Sequence, residues 1–214
     1  MRNGNSRMAL NGLLCFSMIW INAILTTRGI SQTRMSEQVL NWEDLTPIYD
    51  AYINCPSSEN AKALLNALPV NRPEKEIGSA ERGLSHIFGG AHFPVMRSEV
   101  LAGDRLAVEI MFRFFNITDG TYSDTVETML AGLVRSKPRL FVEVLSAYKN
   151  LDHLRRFGPP VDFVGEGYES HPCALKHEYE KRIEALEEIK DPIYAEVIEA
   201  CIKKLRESIK QHVH

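Results

Sequence analysis

Apolar side chains recur at helical spacing along the chain from Leu45 onward. One stripe precedes the break at Cys55-Pro56, and a second precedes the break at residues 69–73. Spacings of i, i+3, i+4 and i+7 are typical of a helix with one buried face. The two stripes predict amphipathic helices capped by Thr46 and Ser58, with Pro47 tolerated in the first turn. Their apolar positions are Leu45, Ile48, Tyr49, Tyr52 and Ile53, then Ala61, Leu64, Leu65 and Leu68.

A weaker stripe follows and predicts a third helix. Gly78 and Gly83 lie within it, and each costs about 1 kcal/mol of helix stability relative to alanine. The glycine-rich stretch 89–94 after it predicts a loop. The apolar positions in register are Ile77, Ala80, Leu84, Ile87 and Phe88.

The central block has the clearest periodicity and predicts three helices. The first begins near Ser98 and ends at a turn formed by Asp119-Gly120. Thr121 and Asp124 have the spacing of a capping box for the second, and Pro138 opens the third. Turns this short require the three helices to pack as antiparallel neighbours. Their apolar faces are Leu106, Ile110, Met111, Phe114 and Phe115; Val126, Met129, Leu130, Leu133 and Val134; and Phe141, Val144, Leu145 and Tyr148.

The last part of the chain predicts a helical hairpin. Residues 158–173 are rich in glycine and proline and predict a connection, and residues 174–214 contain two further stripes. Asp191-Pro192 divides them, with Asp191 as N-cap and Pro192 in the first turn. The pattern as a whole predicts an all-α fold, either an irregular helical bundle or a short α-solenoid-like array of antiparallel helices. Residues 32–157 form its helical domain, with the hairpin packed on the same domain.

The N-terminus has the pattern of an export signal. Arg2 and Arg7 precede an apolar run over residues 13–25, which as a helix spans only about 20 Å of the roughly 30 Å hydrocarbon core. Residues 1–31 are therefore predicted to be a signal peptide, and the protein to be periplasmic or secreted. The alternatives are a membrane anchor formed by residues 13–25 and a cytosolic protein that starts at Met35.

The charge distribution limits the partners. The chain has a formal net charge of −3, and residues 1–31 contain three arginines and no acidic residue, so the remainder carries −6. A surface of that sign repels phosphate backbones, and Arg155-Arg156 and Lys203-Lys204 are too short to form a basic patch. We expect no nucleic-acid partner and no cofactor.

Three short segments carry a resemblance. They are Asn54-Cys55-Pro56, the helix end Phe114-Phe115-Asn116-Ile117-Thr118-Asp119-Gly120, and the restart at Lys137-Pro138 followed by Leu140-Phe141. With the general arrangement of residues 40–205, this resembles a group of small exported bacterial helical proteins with no assigned activity. The resemblance implies export and a helical fold, and it implies no catalytic residue.

A metal site is one chemical hypothesis. His171, Cys173 and His177 could supply three nitrogen and sulfur ligands to zinc, although their spacing matches no zinc signature. The remaining cysteines after the leader, Cys55 and Cys201, are far apart, and the chain has no Cys-x-x-Cys. The odd number of cysteines leaves their pairing open.

Two loops are candidate binding surfaces, because loops on a rigid scaffold often carry binding residues. One is the stretch 89–94, with His92 and Phe93. The other is the stretch 161–172. Each combines aromatic residues with glycine, and the second also has acidic residues. The candidates in the second loop are Asp162, Phe163, Glu166 and Tyr168.

The sequence contains no complete catalytic set. Ser85 and His86 begin like a nucleophile elbow, but the closing glycine is missing, and neighbours on a helix face directions about 100° apart. We therefore expect a non-enzymatic, exported helical protein that binds another exported protein or a peptide. The alternatives are a metal-dependent hydrolase using His171, Cys173 and His177, and a cytosolic helical adaptor starting at Met35.

Overall fold

The structure, a computed structural model, describes residues 39–90, 92–165, 168 and 171–212. Ten α-helices account for most of these residues, and the predicted all-α bundle is confirmed. The predicted leader or anchor, residues 1–31, lies outside the described residues. The helices are α1 (Trp42–Asn54), α2 (Ser58–Ala67), α3 (Ala80–Gly89), α4 (Phe93–Ala102), α5 (Arg105–Ile117), α6 (Gly120–Ser136), α7 (Pro138–Tyr148), α8 (Asp152–Phe157), α9 (Pro172–Glu187) and α10 (Ala195–His212).

Helix α5 lies at the centre of the bundle. Its sequence is apolar on almost every side, as expected for a helix that is surrounded by others. It contacts α2, α4, α6, α7 and α8, so both the N-terminal and the C-terminal helices are positioned around it. Its buried residues are Ala107, Val108, Ile110, Met111, Phe112, Phe114, Phe115, Asn116 and Ile117.

The prediction of a single long helix starting near Ser98 is wrong, because Gly103 interrupts the helical backbone between α4 and α5. This glycine has φ 88°, the left-handed conformation that commonly ends helices. Asp104 then caps α5 by accepting a hydrogen bond from the Ala107 amide at 2.8 Å. The predicted loop at 89–94 is correspondingly shorter, since α4 already begins at Phe93. The apolar positions before and after Gly103 continue at nearly the same helical spacing, so the sequence pattern does not reveal where the helix is interrupted.

Three predicted helix starts are also displaced. Asn41 caps α1 in place of Thr46, so Pro47 lies in the second turn, and Thr46 donates its hydroxyl to the Trp42 carbonyl. Ser57 caps α2 in place of Ser58. The predicted Thr121–Asp124 capping box does not form, because α6 begins at Gly120 and its first turn has no side-chain cap.

A short strand replaces the predicted start of the third helix. Ile77 lies in β2 (Lys75–Ile77), which pairs in parallel with β1 (Val39–Asn41). Gly78 then turns the chain with φ 82°, and Ser79 caps α3 by accepting from the Arg82 amide. Within the described residues, this is the extent of the β structure.

The predicted hairpin is confirmed. Asp191 accepts a hydrogen bond from the Ile193 amide, one 3-10 turn (Pro192–Tyr194) follows, and α10 returns along α9. The hairpin contacts α6 and α7, and Cys201 is buried within its apolar face, as predicted. Helix α8 is not predicted by the sequence pattern. None of the described helices has the length and hydropathy needed to cross a bilayer.

Gly83 allows α3 to pack closely against α1. A Cβ atom at this position would lie 2.4 Å from Cε3 of Trp42, far inside van der Waals contact. Trp42 is itself buried and donates its indole N–H to Glu76, so its ring has little freedom to move. The sequence indicates only the helix-propensity cost of this glycine; the structure gives the reason for it.

We expect Gly83→Ala to lower the free energy of unfolding by about 1–3 kcal/mol, because overpacking outweighs the gain in helix propensity of about 1 kcal/mol. Gly132→Ala in α6 is the matched control, since a Cβ there meets only Leu101 Cδ2 at 4.0 Å. It should be neutral or stabilising. Urea denaturation of both variants checks the prediction, and equal effects of the two substitutions would contradict it.

Candidate functional site

The segment 158–165, between α8 and α9, is irregular but held firmly by side chains. Gly158 begins it with φ 78°, and Pro159-Pro160 disfavours a helix. The carbonyls of Val161 and Phe163 accept hydrogen bonds from Nη1 of Arg182 at 2.7 and 2.8 Å. Two backbone acceptors of the segment are thus bonded to one side chain of α9.

Arg182 belongs to a buried charge cluster. Its Nε donates to Oε1 of Glu178 at 3.2 Å, and Arg135 of α6 donates to the other oxygen of Glu178 at 3.0 Å. Burial lowers the pKa of Arg182, and the adjacent Glu178 carboxylate opposes that shift. A buried charge that has lost its partner is strongly destabilising. The cluster therefore stabilises one conformation of the segment over others.

Asp162 is the best-connected residue of the segment. Tyr179 donates its hydroxyl to the Asp162 carbonyl at 2.7 Å. The Asp162 carboxylate accepts from Ser208 at 2.8 Å and from Lys204 Nζ at 3.0 Å. Lys204 also donates to the carbonyl of Pro159. Helices α9 and α10 together therefore fix the segment, which forms one side of a groove.

We name the groove beside the segment 158–165 the acidic groove. It encloses about 760 Å³, within the range usual for ligand sites. It runs between the start of α6, the end of α8, the segment 158–165 and the hairpin helices. Aromatic rings and carboxylates line it together. The lining residues are Asp119, Gly120, Ser123, Asp124, Glu127, His153, Phe157, Asp162, Phe163, Val164, Gly165, Leu175, Tyr179, Lys204 and His212.

The carboxylates that line the groove differ in whether a cationic side chain forms an ion pair with them. Asp162 is paired with Lys204, and exposed Asp119 is 3.3 Å from Arg72. Among the described residues, no ion pair engages Asp124 or Glu127. Burial raises the pKa of Glu127, against the attraction of Lys204 and a hydrogen bond from Ser123. The groove therefore has more negative than positive charge to offer a ligand.

The aromatic residues lie close to these carboxylates. The ring of His153 lies between the rings of Phe115 and Phe157, with centroid distances of 4.3 and 4.5 Å. Burial lowers the pKa of His153, and Arg72, Arg156 and Lys204 act in the same direction. The imidazole is therefore neutral near pH 7 and adds no positive charge. Phe157 remains 56% exposed and adds a large apolar surface to the groove that Asp124 and Glu127 also line.

The candidate residues of the second predicted loop, 161–172, do not all belong to the groove. Asp162 and Phe163 line the acidic groove, and their role in binding stays a prediction. Tyr168 is half-buried against the core, and Glu166 lies outside the described residues. The sequence pattern does not distinguish Glu127, His153 or Phe157, because they occupy ordinary positions on helices. It indicates only a turn at Asp119 and a cap at Asp124.

The other candidates lie elsewhere. Phe93 packs on Phe88 with a centroid distance of 5.6 Å, and His92 lies beside His86. His171, Cys173 and His177 are exposed around the start of α9. Their donor atoms do not converge within 4.8 Å as a metal-binding group, whereas one other trio in the described part of the chain does.

The raised pKa of Glu127 predicts a pH-dependent effect on stability. Below the ordinary pKa of glutamate, the carboxyl is protonated in both folded and unfolded chains. As the pH rises above that value, the unfolded chain ionises freely while the folded chain ionises a buried group at a cost. Glu127→Gln should therefore raise the free energy of unfolding at pH 7, and the gain should disappear at acid pH.

Urea denaturation across a pH series measures this difference. Glu199→Gln on the exposed face of α10 is the control and should have almost no effect at any pH. A Glu127→Gln variant that is less stable than the parent at neutral pH would contradict the assignment of a desolvated carboxylate.

No protein-family model matches this chain, and no curated protein and no solved structure is significantly similar to it. The resemblance to small exported helical proteins stays a prediction. What the acidic groove can bind follows from the charges, rings and hydrogen bonds of its own residues.

Proposed function

We propose that the protein is a non-catalytic helical scaffold that binds a short peptide segment of another protein in the acidic groove. The segment carries a lysine or arginine next to an aromatic or aliphatic side chain. The observation that carries this proposal is that Asp124 and Glu127, which have no ion-pair partner among the described residues, line the same groove of about 760 Å³ as exposed Phe157.

Charge complementarity supports a cationic ligand. A lysine or arginine side chain has a long apolar stem and a charged end, so the stem can cover Phe157 while the charge approaches Asp124 or Glu127. Cations also interact favourably with aromatic faces, and Arg156 already lies over the Phe157 ring at 5.4 Å from its centroid. Approach of a cation to Glu127 offsets the desolvation that raises its pKa.

One side of the groove is already fixed by hydrogen bonds, which favours specific binding of a ligand. Arg182, Tyr179, Ser208 and Lys204 already bond the polar groups of the segment 158–165. A ligand therefore does not have to order this side of the groove, and the entropy cost of association is smaller.

We expect selection from a phage-displayed library of random peptides to enrich lysine or arginine next to aromatic or aliphatic residues. The affinity of a selected peptide, measured by fluorescence anisotropy, should fall about tenfold in Phe157→Ala and in Asp124→Asn, as for side chains central to an interface. It should also fall with rising salt concentration.

Two control variants distinguish the groove from other surfaces. Ile193→Ala removes a side chain that is 77% exposed near the hairpin turn. Glu199→Gln alters a separate cleft between α9 and α10. Both should leave the affinity unchanged. Selection of acidic peptides, no selection at all, or equal affinity in Phe157→Ala and the parent would each count against the proposal.

We also propose that the protein is exported. The support is the sequence of residues 1–31, with basic residues before a short apolar run and no acidic residue. Intact mass and fractionation of the protein from its native host test this. Loss of the leader in an exported fraction is the expected result, and a full-length cytosolic protein, or one starting at Met35, would refute it.

A further inference from the structure

Three potential metal ligands converge away from the acidic groove. Asp50 lies on α1, His86 on α3, and His92 directly before α4. One donor atom of each lies within 4.8 Å of the other two, and in the described ranges this is the one such trio of histidine, cysteine and acidic residues. Two imidazole nitrogens and one carboxylate oxygen form a common ligand set for zinc and related divalent transition ions.

The distances suit a shared ion. Nε2 of His86 lies 2.7 Å from Oδ1 of Asp50, a hydrogen bond with one proton between the two atoms. The rings of His86 and His92 have centroids 5.5 Å apart and planes tilted by 31°. In a tetrahedral zinc site, neighbouring ligand atoms are about 3.3 Å apart for bonds of about 2 Å. The three donor atoms, all within 4.8 Å of one another, lie close to that spacing.

The backbone around the trio is fixed by packing. Gly83 allows α3 to approach Trp42 of α1, since no Cβ fits between them. Buried Tyr49, next to Asp50, donates its hydroxyl to the carbonyl of Ile87 at 3.1 Å. These two contacts set the register in which His86 meets Asp50.

His92 is positioned by its neighbour in sequence. Phe93 packs on Phe88 of α3, with ring centroids 5.6 Å apart. Phe88 in turn packs on Phe114 and Tyr122, at 5.4 and 5.7 Å. The aromatic cluster thus places the start of α4 against the end of α3, and His92 beside His86. Ligands held in this way by their surroundings are preorganised for a metal.

The trio is open to solvent on one side. The side chains of Asp50 and His86 are 33% and 37% exposed, and His92 is half-buried. A shallow groove of about 210 Å³ reaches His86 along α1 and α3. An ion can therefore enter, and water can occupy the fourth ligand position, as in zinc sites with three protein ligands.

We propose that Asp50, His86 and His92 bind a divalent transition ion of the zinc class. The ion takes the place of the proton between His86 Nε2 and Asp50 Oδ1, and the third ligand is a ring nitrogen of His92. Bound there, it connects α1, α3 and the start of α4. The site is separate from the acidic groove, so the two proposals stand or fall independently.

Zinc titration by calorimetry tests the site on the full chain, with cobalt titration followed by visible absorption. We expect one zinc ion per chain and affinity reduced at least tenfold in His86→Ala, His92→Ala and Asp50→Asn. Asp50→Asn keeps a hydrogen-bonding oxygen for His86, so it separates loss of a ligand from loss of the fold. Zinc should also raise the melting temperature of the parent protein and not that of His86→Ala.

The matched controls are His171→Ala, Cys173→Ala and His177→Ala, which remove the ligands of the sequence-based metal hypothesis. They should bind zinc like the parent. Cobalt absorption should lack the strong thiolate-to-metal bands that a cysteine ligand produces. Zinc binding that is absent, unchanged in Asp50→Asn and His92→Ala, or lost in Cys173→Ala would overturn the proposal.

Discussion

The burial of nine of the thirteen residues of helix α5 is the constraint on which the rest of the structure depends. A polar side chain among these buried residues must bond to a neighbouring element, because water does not reach it. Asn116, 1% exposed, donates to the carbonyl of Val70 at 2.9 Å and accepts from the His153 amide at 3.1 Å. One side chain of the central helix thus positions both the break after α2 and the start of α8. Through α8 it also places His153 and Phe157 in the acidic groove.

The acidic groove and the trio of Asp50, His86 and His92 lie in different parts of this bundle, and both depend on packing. Each combines residues from three or more elements whose spacing is fixed by contacts outside the site itself. In the groove, buried Arg182 pairs with Glu178 and donates to the backbone of the segment 158–165. At the trio, Gly83 and the Phe88 ring cluster bring α3 close to α1 and α4. The geometry of both places depends on packing that a sequence motif does not reveal.

Much of the fold could be predicted because helix signals are local. Pro138 and Asp191-Pro192 mark their boundaries through backbone geometry alone, and both predictions are confirmed. The sequence pattern does not reveal the end of the helix at Gly103, because apolar positions keep the same helical spacing before and after it. The contact between His86 and Asp50 is harder to predict, since the two residues are 36 positions apart. Periodicity does not reveal which helix faces meet. Asp162 and Phe163 could be found because they lie in a loop, whereas Glu127 and Phe157 lie on helices with ordinary patterns.

We infer that the segment 158–165, though irregular, is a rigid side of the acidic groove. Backbone order parameters from ¹⁵N relaxation test this directly for Val161, Asp162 and Phe163 in the free protein. The hydrogen bonds from Arg182, Tyr179, Ser208 and Lys204 predict values of about 0.85, equal to those of the surrounding helices. Values below about 0.6 would mean that the segment is a flexible connection, and the account of a preorganised groove would be wrong.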